Sequence, residues 1–302
     1  MSIEASVIVP TYDQCHALSL CLHSLFSQTM NPENYEIVVA DDGSTDATPN
    51  LVHDMQATAP CKIKYIWHEN MGRSYNRNTG AKAATGRYII FLDGDMVVKP
   101  EFVAAHLAGH TAPNLVVNGP VVNVTSLNPA DWPQKIRDYS RAFFATGNVS
   151  IEREKFLASG LFDEEFIEYG WEDLELGIRL KKMGLRATKA IQACSYHLQH
   201  HASAANIQAI LKKEKERGHT AVLFLRKHPT FEVKLMTLIT PIYFALDKIF
   251  SLADWPEKAK TFELLNEAEQ KGNKFLFELL LVLIRNHAYA EGIREALAQN
   301  QQ

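Results

Sequence analysis

The chain is 302 residues long, 46% hydrophobic and 22% charged, with a formal net charge of −4. That balance suits a soluble globular protein of one large domain, or one domain with an appendage, and nothing in it suggests an electrostatic binder of nucleic acid, a polyanion partner being left open only through a local patch. The four cysteines, Cys15, Cys21, Cys61 and Cys194, form no Cys-x-x-Cys pair. Neither a zinc knuckle nor a disulfide framework is signalled, and reduced, mostly buried thiols in a cytoplasmic protein are expected. The first residues, Met1-Ser2-Ile3-Glu4, enter an apolar strand at once, without the basic region and apolar run of a signal peptide. No stretch reaches the roughly 18 uninterrupted apolar residues of a spanning helix. Residues 235–246 come nearest, and Pro241 interrupts them.

Residues 5–9 form a short apolar run ended by Pro10, the pattern of a buried strand. Leu18, Cys21, Leu22 and Leu25 then recur at helical spacing. Residues 35–40 predict a second strand, closed by Asp41-Asp42-Gly43-Ser44, and Asp46 is placed to cap a helix carrying Leu51, Val52 and Met55. Residues 63–67 predict a third strand, 76–84 a helix closed by Gly86, and 88–92 a fourth strand. Strand and helix alternating through short links predict βαβ units and a mostly parallel sheet. Ligands of such sheets bind beyond the carboxyl ends of the strands. Residues 10–13, 41–44, 68–73 and 93–95 should therefore share one rim.

From about Asn114 the alternation stops. Val116-Val117 and Val121-Val122 suggest strands, broken by Pro113, Pro120, Pro129 and Pro133. Residues 140–151 read as a further strand region, and residues 172–183 as a helix with Leu176, Leu180 and Met183 on one face and Gly184 as its stop. From about residue 204 to the end the pattern is helical and amphipathic. The apolar stretches at 235–246 and 275–284 suit packing in a core or a homodimer better than an interfacial membrane helix, because Lys and Arg are not concentrated around them.

Asp93 and Asp95 flank one glycine after the fourth strand. In extended chain they point the same way, and two hard oxygen donors suit Mn²⁺ or Mg²⁺ holding a diphosphate. Gly94 leaves room for a phosphate or for backbone. Asp41 ends the second strand, where an acid accepts from a base or a ribose hydroxyl. Tyr12 is able to stack on a base, and Pro10 fixes the backbone beside it. Arg73 and Arg77 share a helix face if both are helical, and near a metal diphosphate they would clamp phosphate; for Arg77 an ion pair within the fold is an equal alternative.

A second acidic block, Gly170-Trp171-Glu172-Asp173, opens the helix predicted from residue 172. A helix N-terminus favours negative charge, so both carboxylates are expected to stay ionised and able to take a proton from an acceptor hydroxyl. Tyr169-Gly170-Trp171 offers a wall on which a sugar stacks. In Ser195-Tyr196-His197-Leu198-Gln199-His200-His201, His197 is the preferred imidazole ligand of a transition metal, with His200 and His201 as rivals.

Val7-Ile8-Val9-Pro10-Thr11-Tyr12, residues 38–46, Arg77-Asn78-Thr79-Gly80 and Phe91-Leu92-Asp93-Gly94-Asp95 together resemble the motif series of family 2 glycosyltransferases with the GT-A fold. Residues 170–173 resemble the Gly-Trp-Glu-Asp signature of chondroitin-polymerase-like enzymes and β-1,4-galactosyltransferases. The resemblance covers roughly residues 4–200. It implies an α/β, Rossmann-like domain over residues 1–203, split into a nucleotide-binding half to residue 112 and an acceptor half beyond it, with a helical region over 204–302. It also implies a UDP-sugar donor held by Thr11, Tyr12 and Asp41, with Asp93 beside the ribose and metal, and Asp95 and His197 on the metal. Gly147, within 146–150, would line the donor-sugar pocket. Asp173 would be the base, with Glu172 contacting sugar, in an inverting transfer. The acceptor is left open among a saccharide, a lipid-linked saccharide and another hydroxyl compound, as is peripheral contact with the inner face of a membrane. Two other classes stand beside this reading: a nucleotidyltransferase, disfavoured because Pro10-Thr11-Tyr12-Asp13-Gln14 lacks a phosphate-loop glycine, and a non-catalytic binder of sugar nucleotides.

Overall fold

The computed structural model describes residues 3–126, 131–133, 142–198, 203, 206–251 and 259–299. The chain divides into two compact units, Met1–Ile167 with Glu172–His200, and Glu168–Trp171 with His201–Gln302.

In the first unit the chain runs β1 (Ala5–Thr11), α1 (Cys15–Phe26), β2 (Tyr35–Asp41), α2 (Thr48–Thr58), β3 (Lys62–Trp67), α3 (Arg73–Ala83) and β4 (Tyr88–Leu92). It continues through β5 (Met96–Val98), α4 (Phe102–Gly109), β6 (Leu115–Asn118), β7 (Val121–Val124), β8 (Asn148–Glu152), α5 (Arg153–Ala158), α6 (Glu172–Lys182), β9 (Arg186–Lys189) and β10 (Ser195–Leu198). A seven-stranded sheet has the order β3-β2-β1-β4-β8-β6-β9. All its neighbours are parallel except where β8 runs against β4 and β6. Both faces of the sheet are covered, which is why its central strands read as unbroken apolar runs. Val7, Val9, Ile37 and Val39 pack on one side with Leu18, Leu22 and Leu25 of α1. Ile8, Val38, Ile89 and Phe91 pack on the other with Phe144, Phe156, Phe162, Leu176 and Leu180. A small second sheet, β5-β10-β7, pairs β10 antiparallel to β5 and parallel to β7.

Several local expectations need correction. Of residues 140–151, those described before Asn148 are not strand; β8 begins only at Asn148. The strands β5 and β9 and the helices α4 and α5 had no sequence signal, because each is too short to show a period. Asp46 accepts from Thr48 N at 2.9 Å, while the N-cap position of α2 is Ala47.

The second unit is helical: α7 (Ile207–Lys227), α8 (Phe231–Met236), α9 (Pro241–Ser251), α10 (Ala259–Gln270) and α11 (Lys274–Gln299). Helices α7 and α11 cross at glycines. A Cβ on Gly218 would lie 2.4 Å from Tyr289 O, and one on Gly292 would lie 2.1 Å from Lys215 O. Core packing of the two apolar stretches holds for Ile239, Phe277, Leu280, Leu281 and Ile284. It fails for Leu235, Ile242, Leu246, Phe275, Leu279 and Val282, which are exposed. Among the described residues, no helix is long and apolar enough to cross a membrane.

Candidate functional site

Parallel pairing of β1, β2, β3 and β4 sets their carboxyl ends on one rim, and the antiparallel β8 delivers its N-terminal end to the same place. Leu92 pairs with Asn148. Gly147 therefore stands beside Asp93: a Cβ there would lie 3.2 Å from Asp93 Oδ2. Gly94 is needed for backbone approach, since its Cβ would lie 2.8 Å from Pro10 O. Thr11 is buried, with Oγ1 lacking a hydrogen-bond partner, and Tyr12 is exposed.

Asp41 is fully buried. Its Oδ1 accepts from Ser44 N at 2.8 Å and its Oδ2 from the Tyr65 hydroxyl at 2.5 Å. The carboxylate expected to face a nucleoside thus also pins the turn after β2. Asp42 holds the next loop, accepting from Met71 N at 2.8 Å and Gly72 N at 3.1 Å.

Both Arg73 and Arg77 lie in α3. Arg73 is exposed, and its charge reaches Asp95. Arg77 is buried. Its Nη2 donates to Asp93 Oδ1 at 3.1 Å and its Nη1 to Glu172 Oε1 at 3.0 Å. Of the two expectations for Arg77, the ion pair within the fold is what the geometry contains.

Asp95 meets His197. The register that sets His197 opposite Met96 places the imidazole Nε2 3.4 Å from Asp95 Oδ2, and His197 Nδ1 lies 3.2 Å from Asn123 Oδ1. Burial alone would raise the Asp95 carboxyl, but the hydrogen bond and charge of His197, helped by Arg73, hold it below its ordinary range. Asp95 Oδ1 is buried without a hydrogen-bond partner. A carboxylate and an imidazole, with a carboxylate oxygen left unsatisfied, are donors that would suit a divalent transition metal. His200 and His201 lie outside the described residues. Among the described residues, no cluster of three or more His, Cys, Asp or Glu side chains is suited to a metal.

Glu172 is buried and Asp173 partly buried at the first turn of α6. The expectation that both stay ionised needs correction for Asp173. Burial first, then the charge of Glu172, push its carboxyl up to about 7, against the opposing pull of Leu174 N and Arg77. The helix terminus does supply a donor, Leu174 N to Asp173 Oδ1 at 2.8 Å, but desolvation outweighs it. Trp171 belongs to the helical unit. Its indole N–H donates to Arg217 O at 2.9 Å, and its ring lies 5.7 Å from Phe224. One face of the expected sugar-stacking ring is thus taken. Trp171 also has φ 71° and Gly170 φ 105°, a pair of left-handed residues that turns the chain into α6.

Other residues that shape the rim had no role assigned from the sequence, although Asp13 and Asn148 lie in segments that it singled out. Asn76 donates to Ala40 O at 2.9 Å and ties α3 to the end of β2. Asp13, at φ 48°, accepts from Thr45 N at 2.7 Å. Asn148 donates to Ala193 O at 2.8 Å and to Pro120 O at 3.1 Å, and lies 2.7 Å from His106 Nε2. Burial lowers His106 to about 3, so it is neutral at ordinary pH. This network couples the start of β8 to the chain entering β10, and so Gly147 to His197.

The family model described as glycosyl transferase family 2 matches residues 6–162, and one described as the N-terminal domain of galactosyltransferase matches residues 132–201. Validoxylamine A glucosyltransferase of Streptomyces hygroscopicus subsp. limoneus is 30% identical over 87% of this chain and 66% of the relative. Chondroitin synthase of Escherichia coli is 26% identical over 79% of this chain and 42% of the relative. The chain thus spans about two thirds of the first of these relatives and less than half of the second. Among solved structures, the mannosyltransferase PcManGT from Pyrobaculum calidifontis, in complex with GDP-Man and Mn²⁺, superposes with a TM-score of 0.67 at 16% identity, covering 98% of this chain and 88% of that one. Staphylococcus aureus TarS 1-349 in complex with UDP-GlcNAc superposes with a TM-score of 0.54 at 19% identity, covering 99% and 92%.

Proposed function

The chain belongs to glycosyl transferase family 2 and is a glycosyltransferase, and from that premise we propose that it transfers a sugar from a UDP-sugar to an acceptor hydroxyl, with inversion and with Mn²⁺ or Mg²⁺ at Asp95 and His197. The observation that carries this reading is the meeting of Asp95 and His197 at 3.4 Å, beside an Asp93 that shares one guanidinium with Glu172. Donor-side and acceptor-side acids therefore converge on one rim. Family membership sets aside the nucleotidyltransferase and the non-catalytic binder.

When bound, the cation supplies Lewis-acid neutralisation of the leaving diphosphate. Arg73, exposed on α3 near Asp95, adds positive charge where the diphosphate would lie. Thr11 and Tyr12 line the nucleoside side, and Gly147 leaves room beside Asp93 for the donor sugar. Asp173 takes the proton of the acceptor hydroxyl as that oxygen bonds to the anomeric carbon. The bond from that carbon to the phosphate oxygen breaks on the opposite side, and the nucleoside diphosphate departs with the electron pair. A carboxyl that titrates near neutrality is suited to this work, since a base much weaker would not take the proton. Residues 1–203 would carry the reaction, and the acceptor is a saccharide, a lipid-linked saccharide or another hydroxyl compound.

A screen of UDP-sugars and GDP-sugars with Mn²⁺, reading release of the nucleoside diphosphate, tests the donor. Release from a UDP-sugar, abolished by chelation, is expected; release from GDP-sugars alone would replace UDP in the reading. NMR of the product should show the opposite anomer to the donor, and a retained anomer would remove Asp173 from its role.

A further inference from the structure

We infer that Arg77 is a positioning residue that sets the spacing between Asp93, at the end of β4, and Glu172, at the start of α6, and through Glu172 the placement of Asp173. The inference rests on the reading of Asp173 as base and deepens it.

The three residues come from distant parts of the chain. Arg77 is separated from Glu172 by 95 positions and from Asp93 by 16. No local backbone geometry relates β4 to α6. Phe91 of β4 packs with Leu176 and Leu180 of α6, but at the polar ends of the two elements Asp93 and Glu172 are joined by one guanidinium, with Nη1 on Glu172 and Nη2 on Asp93. Side-chain exposure is 6% for Arg77 and 8% for Glu172, so the pair is desolvated and its geometry matters more than that of a surface ion pair. The guanidinium carbon also lies 5.8 Å from the Phe162 ring centroid, which limits its movement on one side. Phe162 itself packs against Phe91 of β4, with centroids 5.5 Å apart.

The fork shape is what the position requires. Two carboxylates on different elements are bridged by two nitrogens in a rigid plane. An ammonium is a point charge and would not hold both at these distances. Without the bridge, Asp93 and Glu172 are two buried or half-buried negative charges with no shared cation, and they separate. Asp173 follows Glu172 in the first turn of α6, so any shift of Glu172 carries the base away from the acceptor oxygen. A displacement near 1 Å is enough to reduce a rate about a hundredfold.

The test is a double-mutant cycle in the full chain, with kcat and KM per folded molecule, melting temperature and calorimetric UDP–Mn²⁺ affinity measured for each variant. Asp173→Asn is the control for the underlying reading: if it transfers sugar normally, that reading fails whatever Arg77 does. With Asp173 upheld, Arg77→Lys and Glu172→Ala are each expected to lower kcat by about 10- to 100-fold, with KM for the donor changed less than about threefold. The double variant should be no worse than the poorer single one, because both break the same link. Glu172→Gln keeps an oxygen able to accept from Arg77 and should retain about tenfold more kcat than Glu172→Ala. Multiplying effects in the double variant, or a lowered melting temperature with unchanged kcat, would overturn the inference. Should Arg77→Lys fail to fold, the Gln and Ala variants at position 172 decide: equal damage in both would overturn it, and recovery by Gln alone would uphold it.

Discussion

Asp173 shows how one carboxylate departs from its neighbours. Buried beside the charge of Glu172, it titrates near 7, whereas His197 and Arg73 hold Asp95 ionised well below neutrality. The sign follows directly: below about pH 7 the proton stays on Asp173, which then accepts none from the acceptor. The profile of kcat/KM should have an acid limb at about pH 7, falling tenfold per unit below it. Asp173→Asn should lower transfer by about 10²- to 10⁴-fold while UDP–Mn²⁺ binding, read by calorimetry, stays unchanged. Asp95→Ala should remove the metal dependence of UDP binding. Asn123→Ala, which removes the partner of His197 Nδ1, should weaken Mn²⁺ affinity about tenfold. Unchanged Mn²⁺ titrations in both would move the metal off this pair. Asp93-Gly94-Asp95 was legible as a motif. An ion pair of Arg77 was open in the sequence as one of two alternatives, but its partner Glu172 was not legible, because a pairing across 95 positions has no local trace.

At the scale of elements, glycine marks the closest approaches. Gly94→Ala would press a Cβ to 2.8 Å from Pro10 O. It should force the rim between β1 and β4 apart and weaken donor binding, seen as a raised KM. Gly218→Ala would press on Tyr289 O, where α7 crosses α11, and should cost roughly 1–3 kcal/mol of stability in denaturant titrations. An unaltered melting midpoint would mean the helices are free to separate. Strands β1, β2 and β4 were readable because buried parallel strands give apolar runs, and the edge strand β3 was readable from Ile63, Tyr65, Ile66 and Trp67. Strand β10 was legible only as a histidine-rich segment, since its pairing with β5 and β7 depends on partners far away in sequence.

Across the whole molecule, the four thiols report the packing. Cys21, Cys61 and Cys194 are buried and Cys15 is partly exposed. Burial raises the Cys15, Cys21 and Cys61 thiols above their ordinary range, which leaves little thiolate at neutral pH. A colorimetric thiol reagent at pH 8 should therefore modify Cys15 slowly in the native protein and the other three only after denaturation. Rapid reaction of all four would contradict the closed sheet and its helical cover.

By itself, the sequence determined the α/β class, the parallel rim and the family motifs at 7–12, 38–46, 77–80 and 91–95, because each follows from the period or turn chemistry of a local segment. The tertiary structure decided which motif residues meet. It placed Gly147 beside Asp93 by reversing β8, drew His197 to Asp95 through the register of β10, and joined Asp93 to Glu172 through Arg77. It also turned Asp173 from an ionised acid at a helix start into one poised near neutrality. Register, burial and long-range pairing are properties of the assembled chain, and no short stretch of residues encodes them alone.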